Sequence, residues 1–167
     1  MTNRALLLIL LPFFISSSGK AQIVEQQEKE VMDVVFQLFE GMRMADTSMI
    51  KSSFVSHPKM YTATKNQQAQ PVLAEGSLKD FLQSVSKMQP NMMNEPIWDY
   101  KVQIDNDLAA VWTKYAFYFN NRFSHCGVDA FHLHRTNEGW KIFQLVDTRQ
   151  REGCQVPDDI KVKFENK

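Results

Sequence analysis

The sequence predicts an α+β domain in which three amino-terminal helices pack on one face of a curved antiparallel sheet. Three observations carry this reading. Apolar residues recur at three- and four-residue spacing in three stretches before Lys87, they alternate singly in most of the chain from Ile97 to Arg149, and polar turn residues divide the alternating part into four.

The first 21 residues are set aside. Thr2, Asn3 and Arg4 precede an apolar run from Ala5 to Ile15, then Ser16, Ser17, Ser18 and Gly19, and small residues stand at Gly19 and Ala21. This is the pattern of a secretory signal peptide, with cleavage expected after Ala21; an uncleaved anchor is the competing reading, for which the run is short. Residues 22–156 are then one domain, and 157–167 a charged tail that is expected to fray. Removing 1–21 takes Arg4 and Lys20 but no acidic residue, leaving 17 basic side chains against 19 acidic ones. That near-balance offers no electrostatic excess for a nucleic-acid backbone or an anionic membrane surface. No further segment has the length of a membrane span, so the expected location is periplasmic or extracellular, with no stable membrane insertion after cleavage.

The elements follow in order. Val24, Val31, Val35, Leu38, Phe39 and Met42 make the apolar stripe of a helix over 22–44, weakened near its end by Gly41. Asp46, Thr47 and Ser48 signal the cap of a short second helix to Phe54, ended by His57 and Pro58. Lys59 to Thr64 reads as a short strand running into a polar surface segment from Lys65 to Pro71, and Ser77 caps a third helix from Leu78 to Lys87. Met88 to Asn94 has no clear period, and Met92 and Met93 suit adaptable packing. Strands are then expected over 97–104 and 108–119, followed by a long hairpin from Phe123 to Arg149. No internal repeat and no second domain is visible.

Most residues able to do chemistry lie in that hairpin: His125, Cys126, Asp129, Asp147 and Arg149. Two registers compete. A three-residue turn, Asn137, Glu138 and Gly139, pairs Phe131 with Leu145, Leu133 with Phe143 and Asp129 with Asp147. A four-residue turn pairs Phe131 with Gln144 and Leu133 with Ile142. The first keeps one face apolar and is preferred. It also sets Gly127 opposite Arg149 and His125 opposite Arg151, with Gly127 leaving room for a guanidinium or a ligand. Two close carboxylates require a proton or a cation such as Arg149 between them. The bland alternative is an ion-pair network that ties down strand ends. His125 lies about 13 Å from Asp129 along the strand, too far for direct contact within it.

Cys126 and Cys154 in an exported chain are expected to form a disulfide, which would stabilise the fold by roughly 3 to 4 kcal/mol; two free thiols or a metal pair are the alternatives. No zinc-type spacing accompanies them, His132 and His134 are expected on the opposite face, and no metal or cofactor is expected. Tyr61, Trp112, Tyr115 and Tyr118 are candidates to line a cavity, each also a natural core residue.

The helix join at Glu40, Gly41, Met42 and Asp46, the run from Leu108 to Trp112, the run from Ser124 to Phe131, Glu138 to Ile142, and Asp147, Thr148 and Arg149 with Cys154 together resemble the nuclear transport factor 2-like superfamily over about residues 24–154. More closely, the chain is similar to exported bacterial members sometimes labelled lumazine-binding. The resemblance implies a cone-shaped roll with a pocket. The superfamily includes ketosteroid isomerases, SnoaL-type polyketide cyclases and limonene epoxide hydrolases as well as non-enzymes, so it implies no single reaction. The expected function is binding of a small, largely apolar molecule whose polar end lies near Asp129, Asp147 and Arg149. An isomerase or epoxide-hydrolase type of enzyme using these groups and His125 as acid and base is the alternative, although this chain's Asp-x-Arg order blocks a position-by-position transfer of roles. A homodimeric interaction module, joined through the outer sheet face, is the third reading.

Overall fold

The computed structural model describes residues 18–165. Residues 1–17, which hold most of the expected signal peptide, lie outside the described residues. The first helix, α1 (Ser18–Met44), buries Val31, Met32, Val35, Leu38, Phe39 and Met42 along one stripe. Ala45 turns the chain with φ 55°, and Asp46 caps α2 (Thr47–Ser53) by accepting from the amides of Ser48 and Met49, both at 2.9 Å. Gly41 has a packing reason. A Cβ there would lie 2.7 Å from Ile50 Cγ1, so its absence lets α2 press against α1.

The segment after α2 differs from expectation. His57 and Pro58 do not end the helix; they lie inside β1 (Phe54–Lys65), in a stretch where its pairing is irregular between Phe54 and Lys59. Proline is tolerated there because no regular ladder bond is lost. Past the turn at 66–70, the expected loop continues as β2 (Pro71–Gly76), antiparallel to β1 and exposed at every residue. An edge strand with neither face buried carries no alternation to read. Ser77 then caps α3 (Leu78–Val85) by accepting from the Asp80 amide.

The remaining strands are β3 (Met93–Asn94), β4 (Ile97–Asp105), β5 (Leu108–Phe119), β6 (Arg122–Thr136) and β7 (Gly139–Thr148). The sheet runs β2-β1-β7-β6-β5-β3, and β4 also pairs with β5. It is mixed rather than wholly antiparallel, because β1 joins β7 in parallel. Along β5 and β6 the odd-numbered residues Ala109, Val111, Phe131 and Leu133 face α1 and α2 in the main core.

The even-numbered face has its own cover. The tail expected to fray forms α4 (Asp158–Glu165), whose Phe164 stacks on Tyr118 at 4.9 Å, and Val156 is buried with Ala116 and Cys126 in a second core. The Cys126–Cys154 disulfide, spanning 28 positions, ties this segment to β6. Replacing both cysteines by serine is expected to lower the unfolding free energy by about 3 to 4 kcal/mol in a urea titration, the loop-closure value. A change below about 1 kcal/mol would show that the packing of α4 holds without the cross-link.

Candidate functional site

The hairpin register decides what faces the interior, and both registers drawn from the sequence occur. At the tip Thr136 pairs with Gly139 across a two-residue turn, Asn137 and Glu138, and Leu133 pairs with Ile142. The ladder then slips between His132 and Leu133, leaving Phe143 unpaired on the outer face, where its ring meets those of His132 and His134. Beyond the slip, Phe131 pairs with Leu145 and Asp129 with Asp147, as the preferred register requires; the expected pair of Leu133 with Phe143 does not form, and the turn has two residues rather than three.

The two aspartates have different surroundings. Asp147 is supplied with two donors, Thr62 Oγ1 on β1 at 2.5 Å and Arg149 Nε at 2.6 Å, and the Tyr115 hydroxyl oxygen lies 3.5 Å away. Tyr115 is held in place by donating to the Thr148 carbonyl at 2.8 Å. Asp129 is 3% exposed, and its Oδ2 has no hydrogen-bond partner among the protein's donors. The group facing it is the carboxyl of Glu95, from the segment between β3 and β4, within hydrogen-bonding reach.

Two carboxyls in hydrogen-bond contact need a proton between them. Burial, then the Asp147 carboxylate, pushes Glu95 up to about 8, while Arg149 works in the opposite direction. Burial first, and then Glu95 and Asp147, also raise Asp129 well above the ordinary carboxylate range. Part of the Glu95 residue surface is exposed, but its carboxyl lies among protein groups, and those surroundings set its protonation. Burial and the same carboxyls raise the Tyr115 hydroxyl, which therefore stays a donor. Burial, then Arg149, lowers His125. Its ring lies edge-on to Tyr115 and tilted against Phe117, with Ser124 Oγ 3.0 Å from Nδ1.

These groups share a cavity of about 310 Å³ between α1, α3 and the sheet. Its apolar wall includes Leu38, Phe39, Met42, Phe81, Phe131 and Leu145, and its polar wall Glu95, Tyr115, His125, Asp129, Asp147 and Arg149. Tyr61 borders it as well. Two of the expected lining residues lie elsewhere: Trp112 is 55% exposed on the outer sheet face, and Tyr118 is buried in the second core. Both occupy even-numbered positions of β5, whereas Tyr115 is odd-numbered and points inward. Gly127 does not leave room for a ligand. A Cβ there would lie 1.9 Å from the Thr148 carbonyl oxygen, so the space is filled by the backbone of β7. Glu95 was absent from the sequence reading; its only signal is a carboxylate directly before Pro96, which favours extended backbone but does not say which way the side chain faces.

The architecture has close counterparts among solved structures. A protein of unknown function from Mycobacterium tuberculosis superposes with a TM-score of 0.64 at 8% identity, over 87% of this chain and 85% of that one. A Streptomyces avermitilis protein of the nuclear transport factor 2-like family, provisionally assigned as a dehydratase, gives 0.60 at 13% identity over 77% of this chain and 99% of that one. A nuclear transport factor 2-like protein of unknown function from Shewanella baltica gives 0.58 at 13% identity, over 77% and 97%. This chain has the nuclear transport factor 2-like fold. No protein-family model and no curated protein matches the sequence. Within this fold, α1 and α3 line the cavity from one side, and the carboxyl cluster lines it as well.

The raised Glu95 carboxyl gives stability a definite pH dependence. A proton kept in the folded state and lost in the unfolded one contributes fully below the ordinary value of 4.5, and the contribution falls away as pH rises through about 8. The urea midpoint of the parent protein is therefore expected to drop between pH 5 and 9 more than that of Glu95→Gln, which has no proton to lose. Equal drops would place the source elsewhere.

Proposed function

We propose that this chain is an exported domain that holds a small, largely apolar molecule inside the cone. The observation that supports it is the continuity of the 310 Å³ cavity with the Asp129, Asp147 and Arg149 cluster: one wall offers aromatic and aliphatic side chains, the other a few convergent polar groups. An ion-pair network serving only to tie strands would not need an open space beside an unpartnered buried carboxylate oxygen. Export is supported by the apolar pattern of residues 5–15 and by the Cys126–Cys154 disulfide, which suits an oxidising compartment. Among the described residues no helix is long and apolar enough to cross a membrane.

One observation favours a second reading, acid–base catalysis. A carboxyl that keeps its proton near neutral pH can act as a general acid, and His125, held neutral on the same wall, can accept a proton. The provisional dehydratase assignment of the Streptomyces protein is compatible with this.

Thermal-shift screening of small apolar molecules, followed by native mass spectrometry, is expected to find ligands that raise the melting temperature of the parent. Leu145→Trp, which projects an indole into the cavity, is expected to bind them at least tenfold more weakly while remaining folded. No shift with any molecule, or unchanged binding by the tryptophan variant, would remove the cavity from consideration. Recovery of a ligand unchanged after incubation with the parent and with Asp129→Asn alike would favour binding, and conversion by the parent alone would favour catalysis.

A further inference from the structure

We infer that the polar end of the ligand is a cationic nitrogen, an alkylammonium seated against the Glu95–Asp129 pair, with its apolar body against Phe39 and Phe131. This names the ligand class of the cavity proposed above and rests on that reading. The charges on the inner wall lead to it. Glu95, Asp129 and Asp147 contribute three carboxyls, and Asp80 stands at the rim from α3, where it accepts from Ser77. Arg149 is the one lysine or arginine among the residues lining the cavity, and its Nε is committed to Asp147. His125 is kept neutral by burial and by Arg149, and the Tyr115 hydroxyl is committed to the Thr148 carbonyl. Asp147 is thus matched, while the Glu95–Asp129 pair has no cation.

Geometry agrees with the charge count. Asp129 is 97% buried and lines the cavity, and apart from the proton that the Glu95–Asp129 pair must hold, its Oδ2 has no hydrogen-bond donor. A buried acceptor with so few donors is costly, so a ligand that donates to the pair is favoured over one that does not. An ammonium has three donors and no acceptor, and it replaces the proton that the pair must otherwise hold. The rings nearby suit its carbon body: Phe39 and Phe131 meet edge to face at 6.1 Å. The described residues contain no group of three His, Cys, Asp or Glu side chains disposed to hold a metal ion, which favours an organic cation. A carboxylate ligand would meet only Arg149, already paired, and would add to the excess of negative charge.

Calorimetric titration with three matched probes tests this: 2-phenylethylamine, 2-phenylethanol and phenylacetate, each against the parent and Glu95→Gln. At pH 7.5 the amine is expected to bind the parent at least tenfold more tightly than the alcohol, with phenylacetate weakest. Between pH 6 and 8.5 affinity for the amine should rise as the carboxyl pair ionises while the alkylammonium stays protonated, and affinity for the alcohol should not. In Glu95→Gln the preference for the amine should shrink to within about threefold. Asp129→Asn provides the same comparison if the glutamine variant fails to fold. Alcohol or phenylacetate binding as tightly as the amine, or an amine preference that survives both substitutions, would overturn the cationic subsite and leave the cavity reading standing. Absence of binding by all three probes would count against both.

Discussion

Between Leu133 and His132 the β6–β7 ladder slips by one residue at Phe143, and the chemistry of the interior depends on that slip. Without it, the pairing set at the hairpin tip would continue, Asp129 would face Val146, and Asp147 would turn to the other side of the sheet. A shift of one residue exchanges the two faces of a strand. The bulge keeps both demands satisfied: a tight two-residue turn at Asn137 and Glu138, and an inner face that places Asp129 beside Asp147. Its by-product is an extra aromatic ring on the outer face, where Phe143 finds His132 and His134.

Two aspartates brought together in a partly desolvated space cannot both be treated alike. Asp147 accepts from a hydroxyl on β1 and from the guanidinium two residues further along the chain. No comparable donors reach Asp129, so it retains a proton shared with Glu95 or waits for a partner from outside the chain. The inner wall is therefore polarised, with one matched ion pair and one unmatched acidic pair lining the same cavity.

The outer face is divided in the other direction. The Cys126–Cys154 bridge and α4 cover Ala116 and Tyr118 at one end, so the even-numbered side of β5 has a small core of its own, while Trp112 and Leu108 stay exposed toward the other end. Tyr118 is as buried as any residue of the main core, yet it belongs to a different layer. Burial by itself says nothing about which face of a sheet an aromatic occupies.

Local chemistry in the sequence determined α1 to α3, the caps of α2 and α3 and the long strands, because side-chain period and capping residues act over only a few positions, but not α4. It also brought Asp129, Asp147 and Arg149 forward as neighbours, with His125 on the same face, since a hairpin's partners are near in sequence. Tertiary structure decided the rest. The parallel docking of β1 on β7 supplies Thr62 to Asp147, and the segment between β3 and β4 supplies Glu95 to Asp129; both contacts join residues far apart in sequence, which no period encodes. Gly127 shows the same limit. Its missing side chain was legible, but only the path of Thr148 reveals that backbone fills the space. Short-range periodicity specifies which way a residue points within its own strand; what it meets there is decided by how the strands and loops pack.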